Sequence, residues 1–92
     1  MRIKKITSLE TAIRLYYEND ELDSGDIKLL FEGISSSAIT KMKNAALEEM
    51  AKRNTVRHRR HTVNTEVAYE VWGIDIEKLE RNRMKLQKLG LV

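Results

Sequence analysis

The sequence predicts an all-α fold, a compact domain of four or five helices. Three observations carry that expectation. The 92 residues contain no proline, which breaks helix interiors, and only four glycines, at positions 25, 33, 73 and 90. Apolar residues recur at helical spacing through most of the chain. A Ser, Thr, Asp or Asn able to cap a helix stands ahead of each apolar stripe. The length allows one modest core, so residues 1–92 are read as a single domain.

The elements follow in order. Thr7-Ser8-Leu9-Glu10 matches a capping box in which the Glu10 carboxylate reaches back to the Thr7 amide. Leu9, Ala12, Ile13, Tyr16 and Tyr17 then form the apolar face of a helix running to about Asn19, with the tyrosines expected in core packing and their hydroxyls exposed. Residues 19–25 are a polar loop, and Asp23 or Ser24 caps a second helix with Asp26 in its first turn. The acidic residues of this loop do not make a calcium site. With Gly25 as the loop glycine, Leu22 and Phe31 fall where oxygen ligands are required.

Ile27, Leu30, Phe31 and Ile34 line the inner side of the second helix and its exit, and Gly33 suits a left-handed position after a helix end. Ser35 caps a third helix expected over 36–54, with Ile39, Met42, Ala46 and Met50 facing inward. Ser36, Ser37, Thr40, Lys41 and Asn44 lie on its opposite side. Residues 55–63 are β-branched at the ends and basic in the middle. They predict a short wing or an extended basic arm; without Asn-Gly or Gly-X at the centre, a tight hairpin is disfavoured. Asn64 caps a fourth helix carrying Val67, Ala68, Val71 and Trp72 and stopped by Gly73. Asp75 caps a last helix to about Leu89, with Ile76, Leu79, Leu86 and Leu89 as its stripe. Gly90 would let Leu91 fold back onto Leu86. The C-terminal helices 64–89 either pack on the body or form a homodimer seam; the 3-4-3 spacing from Ile76 to Leu86 is too short for a sustained coiled coil.

Charge points to a partner. The net +3 conceals a division: residues 1–34 hold five basic and seven acidic residues (−2), residues 35–63 seven and two (+5), residues 64–92 five and five (0). Segregated positive charge suits a polyanion better than a uniform excess does. The absence of cysteine excludes disulfides, thiolate metal sites and cysteine nucleophiles, and no apolar run reaches membrane-spanning length. A soluble, cytoplasmic protein is expected.

Residues 26–43 resemble a helix-turn-helix. The family pattern sets an apolar and a small residue, then apolar-Gly-apolar-Ser, then a small–aliphatic pair and a basic residue. Ile27, Phe31, Gly33, Ile34, Ser35, Ala38, Ile39 and Lys41 answer to it. Glu32 adds one residue before the glycine and Lys28 takes the small-residue position, so a longer turn and a looser crossing are expected. In general character the chain is also similar to small regulators of phages and mobile elements of Gram-positive bacteria.

The resemblance implies sequence-selective binding of double-stranded DNA, in the role of a transcriptional regulator. The third helix, 36–54, would enter the major groove, and the basic run 53–61 would lie on the backbone. Lys41 and Asn44 are candidates for base edges, Ser36 and Ser37 for a phosphate at the helix start, and Thr40 and Lys43 for the same face. Arg53, Arg57, Arg59 and Arg60 are candidates for phosphates. Two other classes fit the same residues: a non-regulatory DNA-binding component (an excisionase, or a small packaging, terminase or replication subunit), and an adaptor whose basic face meets an acidic protein. No cofactor, catalytic residue, small-molecule substrate or membrane is expected. The His58-x-x-His61 pair has no cysteine or nearby carboxylate to complete a four-ligand zinc site, and instead adds positive charge below about pH 6.5.

Overall fold

A computed structural model describes residues 8–90. Among them the chain forms five helices and one two-stranded ladder: α1 (Leu9–Glu18), β1 (Glu21–Leu22), α2 (Ser24–Leu30), α3 (Ser36–Lys52), β2 (Val63–Asn64), α4 (Thr65–Val71) and α5 (Ile76–Lys88). The fold is therefore mainly helical, as the apolar spacing requires, with a small strand pair that the spacing did not announce.

Side-chain caps set most boundaries. Ser8 accepts from the Thr11 amide at the start of α1, in the place expected for Thr7; the expected Glu10–Thr7 bond lies outside the described residues. Asp23 and Asp26 exchange hydrogen bonds with each other's backbone amides (2.9 and 3.0 Å), closing a capping box on α2. Ser35, Asn64 and Asp75 cap α3, α4 and α5 as their positions predict. Gly33 and Gly73 occupy the left-handed region (φ 79° and 75°) after α2 and α4, where a side chain would strain the turn. The expected contact of Leu91 with Leu86 lies outside the described residues.

The core gathers Ala12 and Leu15 of α1, Leu22, Ile27, Leu30, Phe31, the inward row Ile39, Met42, Ala46 and Met50 of α3, and Val63, Val67, Ala68, Tyr69 and Trp72. Trp72 ties the halves together: its indole N–H donates to the Met42 carbonyl at 3.0 Å, and its ring stands edge-on to Phe31 at 6.2 Å. The strands pair antiparallel, Glu21 with Asn64 and Leu22 with Val63, and Thr65 extends the clamp through its amide to Asp20 (3.0 Å) and its hydroxyl to Asn19 (2.6 Å). This joins the α1–α2 connection to the far end of the basic segment.

Four expectations are corrected. Tyr17 is not a core residue; its ring is 63% exposed and its hydroxyl donates to Glu80, while Leu15 is buried in its stead. α1 is covered by both α2 and α5, so its buried surface is wider than one stripe. The third helix ends at Lys52 rather than Asn54, because Asn54 turns left-handed (φ 56°) and the Thr55 amide bonds back to the Met50 carbonyl at 2.8 Å. Residues 55–62 are neither a hairpin wing nor an extended arm: they loop back so that Val63 pairs with a strand from the other end of the chain. The stripe of α5 is only half-buried or exposed, and the helix packs along α1.

Candidate nucleic-acid interface

With Ile39, Met42, Ala46 and Met50 buried, the 3.6-residue period forces the opposite face of α3 outward. Ser36, Ser37, Thr40, Lys41 and Asn44 are exposed on it. Some of their polar groups already have partners. The Thr40 hydroxyl donates to the Ser36 carbonyl (3.1 Å), and the Ser37 hydroxyl lies 3.3 Å from that of Ser35. Lys43 is half-buried and donates to the Ser24 hydroxyl at 3.2 Å, bridging α3 to the start of α2.

The basic loop meets this face. Thr40, Lys43, Asn44 and Leu47 of α3, with Arg57 and His61 of the loop, line one shallow concavity of about 210 Å³. Residues separated by up to 21 positions in sequence thus share one hollow, bordered by the cations Lys43 and Arg57. Arg60 is exposed on the same loop.

Two expected phosphate ligands are otherwise engaged. Arg53 bonds Glu49 on its own helix (3.0 Å) and Glu70 on α4 (2.7 Å), and these two carboxylates hold its guanidinium more firmly protonated than usual. Arg59 turns to Glu21: its Nη2 donates to the Glu21 carbonyl at 3.1 Å and its Nε lies 3.6 Å from the carboxylate.

Glu21 is the residue that sequence reasoning missed. Its side chain is 95% buried beneath the loop, accepting from the amides of His58 (2.6 Å) and Arg59 (3.0 Å). Burial alone would raise its pKa, but these two amide bonds and the nearby His58 outweigh it and hold the carboxyl below its ordinary value. No local signal marks Glu21, since it sits in the acidic loop 37 residues before His58.

A larger hollow of about 460 Å³ carries the opposite charge. Glu66, Glu70, Asp75 and Glu77 line it with Tyr16 and Ile74, a surface that repels a polyanion. Among the described residues no three His, Asp or Glu side chains converge as a metal site, and no helix is long and apolar enough to cross a membrane. Compared with protein-family models, curated proteins and solved structures, the chain matches none.

Proposed function

We propose that this protein binds double-stranded DNA in a sequence-selective manner and acts as a transcriptional regulator, with α3 in the major groove and the loop 53–62 against the backbone. The observation that carries the reading is the shared hollow: Thr40, Lys43 and Asn44 of one helix face lie beside Arg57 and His61 of the basic loop. An α-helix with its side chains is about 10–12 Å across, and the major groove is about 12 Å wide. A polar helix face flanked by cations meets both requirements at once, base edges for the helix and phosphates for the loop.

Other features support the same reading. The five residues 31–35 join α2 to α3, and Gly33 makes the turn that the resemblance to a helix-turn-helix requires. The acidic hollow bordered by α4 shares no lining residue with the hollow beside α3; its carboxylates come from residues 64–92, which are neutral in sum, so this second separation of charge is made by folding rather than by segment. The test is a titration of random-sequence duplex over a salt series. Binding at low salt with a steep log–log slope is expected, because each neutralised phosphate releases counterions. Loss of all binding at low salt overturns the reading and favours an adaptor with an acidic protein partner.

A further inference from the structure

The loop 53–62 presents a physical puzzle. Val56, Arg57, His58, Arg59, Arg60 and His61 are all exposed, so burial of apolar surface does not hold their conformation. Three arginines in four residues also repel one another. Yet the loop is anchored at its start by the Thr55–Met50 backbone bond (2.8 Å) and at its end by the β1–β2 ladder. Between these anchors the buried carboxylate of Glu21 reaches the loop from the body.

We infer that Glu21 is the positioning residue of the basic loop, a built-in anion that holds the segment in the shape that sets Arg57 and His61 beside α3. Two consecutive backbone amides, those of His58 and Arg59, converge on its two carboxylate oxygens at 2.6 and 3.0 Å. Successive N–H groups turned toward one point form a nest for an anion, and here the chain fills the nest itself. Arg59 closes over the same residue through its bond to the Glu21 carbonyl (3.1 Å), and the Thr62 hydroxyl braces the turn by donating to the Arg59 carbonyl (2.9 Å).

Arg59 therefore acts as a clasp inside the loop, leaving Arg57 and Arg60 to meet an outside anion. A carboxylate accepts at both positions, whereas an amide of the same shape turns a donor toward one of the two N–H groups. The consequence for binding rests on the DNA reading proposed above; the positioning itself does not.

The experiment uses the full chain and trypsin, which cuts after Arg57, Arg59 and Arg60. Glu21→Gln is expected to speed cleavage within the loop by roughly tenfold, the factor that one lost charge-assisted hydrogen bond corresponds to. Its helical circular dichroism should match the wild type. Arg59→Ala alters an exposed side chain that the core does not need, and should speed cleavage after Arg57 and Arg60 in the same direction. It decides the matter alone if Glu21→Gln fails to fold. Wild-type cleavage rates in both variants overturn the inference.

Random duplex at low salt supplies the second arm, with roughly tenfold weaker binding expected for Glu21→Gln. If the loop loosens but the wild type binds no duplex, the positioning stands and the DNA reading falls. If the wild type binds duplex and loosening leaves its affinity unchanged, the loop's shape does not serve binding and that half of the inference is overturned.

Discussion

At the scale of single residues, what separates the candidate contacts is whether a side chain already has a partner. Asn44 and Arg57 border the same hollow, but they offer different chemistry to DNA. An amide can pair with the donor and acceptor of an adenine edge, whereas a guanidinium beside the backbone attracts any sequence. Asn44→Ala should therefore cost about 1–3 kcal/mol on a selected site and little on random duplex. Arg57→Ala should weaken every sequence and lower the salt slope by about one. Parallel titrations on both duplexes check the pair, and exchanged phenotypes would reverse the assigned roles. Arg53 falls outside this comparison because Glu49 and Glu70 engage it. Legibility divides along the same line. Asp23, Ser35, Asn64 and Asp75 could be identified as caps because capping is decided within a few neighbours. Tyr69, fully buried with its hydroxyl 2.6 Å from the Ala12 carbonyl, could not, since its partner is 57 residues away.

At the scale of elements, the helices differ in how firmly the body holds them. α3 buries four residues along its length, whereas no residue of α5 is fully buried. α5 lies along α1, with Leu79 half-buried against the core, the Tyr17–Glu80 hydrogen bond, and the Arg83–Glu10 ion pair at 3.7 Å. Exposed ion pairs of this kind add little. Amide hydrogen exchange should consequently release α5 well before α3, and equal protection would contradict this ranking. The basic loop responds to pH through Glu21. Its carboxyl is held below the ordinary value of 4.5, so its contribution is fully present above that value and is lost as pH falls through the lower, folded-state value. Acidification through and below that value should accordingly lower the protection factors of the His58 and Arg59 amides before those of the core fall, and Glu21→Gln should remove that step. The existence of the loop's charge was legible, but its path was not. Its end is set by strand pairing with residues about 40 positions earlier, a contact that period and propensity do not encode.

At the scale of the whole molecule, an elongated body of 41 × 26 × 21 Å is held by a few residues that bridge between helices. Trp72 is the main bridge, joining the end of α4 to the Met42 carbonyl and to the Phe31 ring at the exit of α2. Trp72→Ala should cost about 3–5 kcal/mol, from lost packing and the lost indole hydrogen bond. A small domain has a total stability of only about 5–15 kcal/mol, so denaturant melts should show a large drop in midpoint, with α3 and α4 lost together. A loss below about 1 kcal/mol would mean that the two halves are joined elsewhere.

The residues alone determined the mainly helical class, nearly every cap, the inward row of α3 and the concentration of positive charge after Ser35. Each of these depends on neighbours within a turn or two of helix, or on composition summed over a segment. Only the tertiary structure decided which cations remain available, where the basic loop runs and what holds it there. Those outcomes require a carboxylate at position 21 to meet amides at 58 and 59, and a tryptophan at 72 to meet a carbonyl at 42. Long-range meetings of this kind follow from how the whole core closes, and no local pattern carries them.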